Sequence, residues 1–455
     1  MTLTADPAQA NYDNLPTESP LGAPLDWKWL KGAKSEWGVR PKIGPRGLTM
    51  LDIATGSYGV VPDNPVHRSM APRGADIDPD TPDMGYILNK KSDVWAENVV
   101  ELYEEAVARQ WSATRDIPWS ELPELPNDIE HAMCQVCTTL TEIEMIAADL
   151  PAKWMWRMNH DFLEAKMFLC TQIMDEARHA EVFRKRALAN GGGLLMSRGS
   201  SEGLLRTIIE AKSYTQATAL LHLLGEGFIL DIFRMGELIA PSHVEKRMFR
   251  MAMQDEARHV AYGTMHIRYA VEQDPDVAEE IHEALDHGEA VLTAFGTNQD
   301  FGTALAVLLG GGIEDIETKG FPLQMEMSRK QFTSYLARCE RAGISRLHRT
   351  TPPQPPHAAR ASTLACTGFP EALWQQIWSN NPNERLNREI RRRTDSVGIF
   401  PNRDAIIRLV GAVLAEPTDE WDAGRRYLVL DLLAQSRLPR PPDTARAATT
   451  DTAPQ

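Results

Sequence analysis

Apolar residues recur three and four positions apart over about residues 128–297, which is the period of an amphipathic α-helix. No stretch there shows the apolar–polar alternation of a β-strand. The clearest interruption is Asn190–Gly193, because a glycine run ends a helix. The pattern predicts an all-α protein built around a helical bundle.

The chain before the bundle has a different pattern. Residues 1–91 are rich in proline and glycine without a sustained period, which predicts a long irregular arm. We expect Trp27, Trp29 and Trp37 to pack this arm onto the folded body. Ser92 followed by Asp93 is typical of a helix N-terminus, so the first long helix is predicted to begin there.

The character of the sequence changes again past Arg341. The stretch RTTPPQPPHAARAST (349–363) has the proline-rich composition of a linker. A smaller helical pattern follows it, and the end of the chain is polar and rich in small residues. The predicted organisation is an arm (1–91), a helical bundle (92–345), a linker (346–368), a separate helical C-terminal segment (369–437) and a disordered tail (438–455).

One pentapeptide, D-E-A-R-H, occurs twice, at Asp175–His179 and at Asp255–His259, 80 residues apart. Glu and His at positions i and i+3 project from the same face of a helix, so each copy offers an oxygen and a nitrogen to one point. Two such pairs, with one Glu from each of two further helices, form the ligand set of a dinuclear carboxylate site.

The two additional glutamates are present upstream of the motifs. Glu226 lies in the apolar stretch LLHLLGEGFILDIF, where an unpaired carboxylate would be costly to bury. Glu142 and Glu144 precede the first motif; the spacing favours Glu144 slightly, and both remain candidates. The candidate metal ligands are Glu142, Glu144, Glu176, His179, Glu226, Glu256 and His259.

A single E-x-x-H is more often part of a solvated helix face than of a metal site. Two identical copies, each about 30 residues after a glutamate in an apolar helix, favour the metal site instead. Oxygen donors with one imidazole per ion suit iron, or manganese, better than a structural zinc ion.

On these motifs, residues of about 92–300 resemble the ferritin-like di-iron carboxylate superfamily, whose four-helix bundles carry E, ExxH, E and ExxH in this order. The resemblance implies a four-helix bundle that holds two iron ions. It also implies that Asp175 and Asp255 accept the outer N–H of the ligand histidines. Arg178 and Arg258 are expected to pair with those aspartates.

Two positions depart from known branches of the superfamily. Phe183 stands where the small subunit of class I ribonucleotide reductase usually has its radical tyrosine. Ala252 stands where p-aminobenzoate N-oxygenases have an additional ligand histidine. The resemblance therefore implies an O₂-activating oxygenase or desaturase-like enzyme with a small organic substrate. Such an enzyme needs two external electrons per turnover, so a reductase or ferredoxin partner is expected, and a homodimer is a further expectation.

Residues 369–427 resemble the C-terminal end of a Mutator-type transposase. The resemblance rests on W-x-x-I-W-S-x-N-P-x-E-R-x-N-x-E-I-x-R-R-T, on G-I-F-P-N and on D-E-W…R-R-Y. It implies that Glu384 corresponds to the third catalytic carboxylate, which binds Mg²⁺. The two family aspartates would lie upstream, where this chain has a helical bundle. We therefore expect an inactive transposase fragment fused to an oxygenase; the alternative is a transposition-related DNA-binding protein.

Composition limits the partners. The 48 basic and 63 acidic residues give a net charge of −15, which argues against binding nucleic acid or an anionic membrane, except for DNA contacts through the C-terminal fragment. No uninterrupted apolar run of about 18 residues is present, so no membrane span is expected. Five cysteines do not form a disulfide framework, and no secretory signal is recognised at the start. A cytoplasmic location is expected.

Overall fold

Helices make up nearly all of the regular structure in the computed structural model, which describes residues 15–27, 41–295, 299–347 and 349. Within these residues the only extended pairings are isolated bridges, such as Leu88 with Met158. The α-helices are α1 (Met50–Ile53), α2 (Val99–Ala108), α3 (Asn127–Met155), α4 (Leu163–Ala189), α5 (Gly199–Ile209), α6 (Tyr214–Thr218), α7 (Glu226–Ile239), α8 (His243–Gln273), α9 (Val277–Phe295), α10 (Gln299–Gly310) and α11 (Phe321–Arg341). The predicted all-α class is confirmed.

Four long helices form the centre of the fold. Helix α3 packs along α4, α7 packs along α8, and α4 contacts α8, so that the two pairs face each other. The described residues all belong to one compact unit, Met1–Pro353. The predicted C-terminal segment and tail lie outside the described residues.

The core consists of two apolar clusters with a layer of charged side chains between them. The first cluster includes Phe168 and Leu224, and the second includes Phe183 and Phe249. Along α4 the first cluster contains residues up to Leu169 and the second contains residues from Val182 onward. Helices α3 and α8 also contribute to both clusters, while α7 contributes to the second cluster and the segment just before it to the first. The D-E-A-R-H motifs lie in the charged layer between the two clusters.

The ends of the long helices have ordinary local causes. The Ser242 hydroxyl accepts a hydrogen bond from the backbone N–H of Val244 at the start of α8, as an N-cap side chain does. Helix α4 ends at Ala189, and Gly191 follows with φ of +73°, a left-handed conformation that favours glycine. The predicted stop at Asn190–Gly193 is confirmed.

The predicted helix start at Ser92 is wrong. Lys91–Asp93 form a single 3₁₀ turn, and α2 begins only at Val99. Val94 and Ala96, between the turn and the helix, are fully buried. Core packing therefore fixes this segment in a non-helical path, which overrides the local capping preference.

The arm is described in part. The Trp27 indole N–H donates to the carbonyl of Pro16, 2.7 Å away, a contact within the arm itself. The Arg73 guanidinium forms an ion pair with Glu164 on α4, which ties a later part of the arm to the bundle. Trp29 and Trp37 lie outside the described residues.

One helical stretch among the described residues, Tyr214–Ile239, is long and apolar enough to cross a membrane by length and composition. This stretch contains Glu226 and Asp231, so it is not an uninterrupted apolar run of the kind that the sequence analysis found to be missing. In addition, 78% of its most apolar window is buried inside the protein, as in the core helix of a bundle. The same stretch carries Glu226 into the charged layer.

Candidate metal centre

Six side chains from the four bundle helices converge in the charged layer, and none is more than 3% exposed. They are Glu144 on α3, Glu176 and His179 on α4, Glu226 on α7, and Glu256 and His259 on α8. They form two overlapping groups, each with candidate ligand atoms within 4.8 Å of one another. Glu176 and Glu256 belong to both groups, which is the arrangement expected of carboxylates shared by two ions.

Glu142 does not join this cluster. Its Oε2 accepts a hydrogen bond from the Ser197 hydroxyl, 2.8 Å away, at the partly exposed side of α3. Two residues along a helix correspond to a rotation of about 200°, so Glu142 and Glu144 point to nearly opposite sides. The structure thus corrects the inclusion of Glu142 among the candidate ligands.

Five carboxylate oxygens of this cluster have no hydrogen-bond partner among the described residues. Glu144 Oε1, Glu176 Oε1, Glu226 Oε2 and both carboxylate oxygens of Glu256 accept no hydrogen bond. His259 Nδ1 lies 3.0 Å from Glu176 Oε1, yet the two atoms are not aligned as a hydrogen bond.

Each such buried group costs about 1–3 kcal/mol if it stays unsatisfied. A pair of divalent cations would satisfy these atoms, and their charge of +4 would balance the four carboxylates. The residues present therefore fit a dinuclear metal site.

The electrostatics of the protein groups agree with this fit. Burial raises the pKa of Glu144 and Glu226 well above the usual glutamate value, and the neighbouring carboxylates raise it further. Burial opposes the charged form of Glu176 too, but His259 and His179 outweigh it and lower its pKa. Without cations, the cluster therefore holds protons that metal ions would displace.

The two D-E-A-R-H motifs interact in a crossed arrangement. His179 Nε2 lies 3.2 Å from Asp255 Oδ2, and His259 Nε2 lies 3.3 Å from Asp175 Oδ2. The aspartate of each motif thus orients the histidine of the other motif. In both rings Nδ1 is left facing the glutamates.

The histidine pKa values follow from these contacts. Burial alone would lower the pKa of His179, but its close contacts with Asp255 and with the surrounding glutamates raise it well above the usual histidine value. The pKa of His259 is raised against the same burial, chiefly by the charge of Glu176 and the hydrogen bond to Asp175.

Two arginines neutralise the aspartates. Arg178 forms ion pairs with Asp175 and, at 3.1 Å, with Asp255. Arg258 forms ion pairs with Asp255 and, at 3.0 Å, with Asp175. All four side chains are at most 3% exposed, so their charges are balanced inside the core.

Trp111 is a site residue that the sequence reasoning missed. Its indole N–H donates to Asp255 Oδ2, 2.6 Å away, and its ring lies 5.0 Å from the Arg178 guanidinium carbon. It comes from the loop between α2 and α3, 144 residues from its partner in sequence. No local pattern could have indicated that contact.

Gln172 and His222 were also missed. The Gln172 amide donates to Glu226 Oε1 at 2.9 Å and lies 3.1 Å from His222 Nε2. Burial lowers the pKa of His222 to about 3, so this ring is neutral. Each residue lies four positions before a candidate ligand, Glu176 or Glu226, and this same-face spacing is the signal that could have identified it.

A π-helical segment, Ala219–Gly225, leads directly into Glu226. Such segments are frequent at functional sites, because the wider turn changes the register of the side chains that follow. Here the segment contains His222, and both His222 and Glu226 face the buried layer.

An apolar cavity adjoins the cluster on the side of Glu144, Glu226 and Glu256, with Leu205 and Phe228 among its walls. Its free volume is about 30 Å³, enough for a molecule the size of water. An organic molecule could enter only if side chains moved.

Phe183 packs among other phenyl rings. Its ring lies 5.2 Å from Phe233 and 6.0 Å from Phe249, and Phe233 in turn contacts His179 edge-on at 6.3 Å. Ala252 is fully buried on α8 and offers no ligand atom.

Comparison with known proteins finds two unrelated likenesses in one chain. Residues 343–424 match the family described as transposase, Mutator family, which confirms the resemblance predicted for the C-terminal segment. The matched range begins upstream of the predicted segment and includes the whole proline-rich stretch, 349–363. Glu384 lies within the match and outside the described residues.

The curated relatives that match are transposases. The transposase for insertion sequence element IS1081 of Mycobacterium tuberculosis is 62% identical over 96 residues, 21% of this chain and 23% of that protein. The transposase for insertion sequence element IS406 of Burkholderia multivorans is 48% identical over 66 residues, 14% of this chain and 17% of that protein. The chain thus spans about a quarter or less of the length of these relatives.

Among solved structures, similar chains are mutants of an R2-like ligand-binding oxidase. One, with an aerobically reconstituted Fe/Fe cofactor, has a TM-score of 0.43 and 17% identity, and the match covers 55% of this chain and 95% of that chain. Another, with an aerobically reconstituted Mn/Fe cofactor, has a TM-score of 0.40 with the same identity and coverage.

Proposed function

We propose that the helical unit is a non-haem di-iron oxidoreductase, an O₂-activating oxygenase that acts on a small organic substrate. The observation that carries the proposal is the pair of overlapping carboxylate–histidine groups, each with its own imidazole and both sharing Glu176 and Glu256. Oxygen-rich donors with one imidazole per ion suit iron, with manganese as the alternative.

The six residues would divide between two ions as the two overlapping groups do. Glu144 and His179 would hold one ion, Glu226 and His259 the other, and Glu176 with Glu256 would be shared. When bound, the two ions would supply the redox chemistry that reduces dioxygen.

The remaining residues prepare the site. Asp175 and Asp255 fix the imidazole rings, so that Nδ1 of each faces the glutamates. Gln172 donates a hydrogen bond to Oε1 of Glu226, and Oε2 of the same carboxylate accepts none. The two apolar clusters on either side exclude water from this layer.

Metal analysis of the purified protein tests the proposal, with about two iron ions expected per chain. Two variants on α3 make the test more specific. The Glu144→Ala protein should lose iron, while the Glu142→Ala protein should retain the wild-type iron content. If Glu142→Ala lost iron and Glu144→Ala did not, the assignment of the cluster would be wrong.

Turnover of such a site consumes two electrons that the organic substrate need not supply. We therefore propose that an electron-donating reductase or ferredoxin is a partner of this protein. We also propose that the enzyme is cytoplasmic. No hydride donor can touch the cluster directly, since its ligands are at most 3% exposed.

The C-terminal match supports a second candidate, a transposition-related DNA-binding protein. We favour a fusion in which this fragment is inactive, because it corresponds to under a quarter of its transposase relatives. Full-length protein should then show no Mg²⁺-dependent strand cleavage. Strand transfer that is abolished by Glu384→Ala would establish the second candidate instead.

A further inference from the structure

A concave basic surface lies between the loop after α2 and the first turns of α8. It encloses about 360 Å³ and is lined by Arg115, Asp116, His243, Lys246, Arg247 and Arg250. All six of these residues are exposed. We call this surface the basic depression.

Three of the cationic side chains in the basic depression have no acidic partner among the described residues. Among the described residues, none forms an ion pair with Arg115, Lys246 or Arg247. Two other residues of the basic depression have acidic partners: Arg250 Nε contacts Glu237 at 2.7 Å, and His243 Nε2 contacts Glu121 at 2.7 Å. Asp116 accepts the backbone N–H of Ser112. On a chain with a net charge of −15, this is a local positive site.

The basic depression is close to the candidate metal centre. The loop that forms one wall also carries Trp111, which hydrogen-bonds to Asp255. On α8, Arg250 and Arg247 precede Asp255 by five and eight residues, or about 8 and 12 Å at the usual rise. Asp255 in turn contacts His179. An electron donor seated here would therefore lie near the buried cluster without entering it.

From this placement we propose that the basic depression docks a small acidic one-electron carrier of the iron–sulfur ferredoxin class. The inference rests on the proposed function, because it names the partner that reduces that site. Each docked carrier gives up one electron and leaves oxidised, so two dockings deliver the two electrons of one turnover. Complementary charge steers such encounters and sets their salt dependence.

The test compares two triple variants with the wild-type protein. Arg115→Glu, Lys246→Glu and Arg247→Glu together reverse the unpaired cations of the basic depression. Lys212→Glu, Arg329→Glu and Arg341→Glu make the same charge change at exposed positions that do not line it. The probe is a plant-type [2Fe–2S] ferredoxin, with binding measured on metal-free and on iron-loaded protein.

Binding of ferredoxin should weaken at least about tenfold in the basic-depression variant and stay within about twofold in the control variant. Added salt should weaken the wild-type complex far more than that of the variant. Equal affinity and equal salt dependence in both variants would overturn the proposal.

Reduction kinetics separate this inference from the proposed function. Reduced ferredoxin should reduce the iron-loaded basic-depression variant about tenfold more slowly than wild type, while dithionite, which needs no docking surface, should reduce both equally. Direct reduction of the wild-type protein by NADPH without a carrier would refute the docking proposal. Failure to bind iron would refute the proposed function, while charge-dependent binding of ferredoxin to metal-free protein would still support the docking surface.

Discussion

At the scale of single residues, each D-E-A-R-H motif supplies two adjacent stripes of one helix. Glu and His form one stripe, and Asp and Arg form another, about 100° away around the axis. Because α4 and α8 face each other, the glutamate–histidine stripes meet at the candidate metal centre. The aspartate–arginine stripes meet beside it, where Asp255 contacts His179 and Asp175 contacts His259.

Asp255→Asn should lower iron affinity by about 10–100-fold, because the amide holds the His179 ring in place less well than the carboxylate does. It also leaves Arg178 and Arg258 with one balancing charge fewer, so the thermal midpoint should fall. Competition with a chelator measures the affinity. Asp300→Asn, at a surface ion pair with Arg198, is the control and should leave iron affinity unchanged.

Exposure of the reduced, iron-loaded protein to O₂ should give no persistent tyrosyl radical in electron paramagnetic resonance. The reason is that Phe183 has no hydroxyl and lies among Phe233 and Phe249. The variant Phe183→Tyr is the informative comparison. A stable tyrosyl signal in the wild-type protein would contradict the assignment to an oxygenase without radical storage.

At the scale of elements, a buried polar network joins α6, α8 and the segment before α2. The Tyr262 hydroxyl donates to the Val94 carbonyl at 2.8 Å and lies 2.9 Å from the Tyr214 hydroxyl. His266 Nδ1 faces the Trp95 carbonyl, and its Nε2 faces Thr215. The segment before α2 is thus held by two partners on α8, Tyr262 and His266, and α6 in turn contacts both of these side chains.

Protonation of His266 should destabilise this junction in acid. Burial lowers its pKa in the folded state to about 4, against an ordinary value of 6.5. The unfolded chain therefore binds the proton first, and stability present above pH 6.5 is lost as the pH falls toward 4. This residue should account for about 2 kcal/mol of lost unfolding free energy between pH 7 and pH 5.

Urea unfolding at several pH values measures this loss, with His266→Gln as the comparison. The variant should be less stable at pH 7 but should show a smaller loss toward pH 5. An identical pH profile in both proteins would exclude His266 as the source.

At the scale of the whole molecule, the transposase match begins before the helical unit, Met1–Pro353, has ended. Helix α11 ends at Arg341 and the match starts at residue 343, yet Arg346 is an integral part of the helical unit. Its side chain is fully buried and contacts Glu289 at 2.7 Å as well as Asp286. The helical unit has thus incorporated the first residues of the matched range.

Truncation at two neighbouring points should therefore give different results. Protein ending after Arg349 should keep wild-type iron content and thermal midpoint, because the ligands and Arg346 are all retained. Protein ending after Ser345 should lose about 1–3 kcal/mol, because Glu289 loses its buried partner. Iron content and thermal unfolding measure both. Loss of iron on truncation after Arg349 would show that the C-terminal segment contributes to the site.

The sequence by itself determined the helical class, the five ligand candidates Glu176, His179, Glu226, Glu256 and His259, and the transposase-like segment. These features are local: helical periodicity, i to i+3 spacing and a dense motif are all expressed over a few turns of chain.

Only the tertiary structure decided between Glu142 and Glu144, because both fit the spacing and only the rotation of α3 against its neighbours separates them. It alone brought Trp111 to Asp255 and assembled the basic depression from a loop and a helix more than 100 residues apart in sequence. Contacts of this kind depend on how helices pack, and packing is set by the whole core rather than by any one segment.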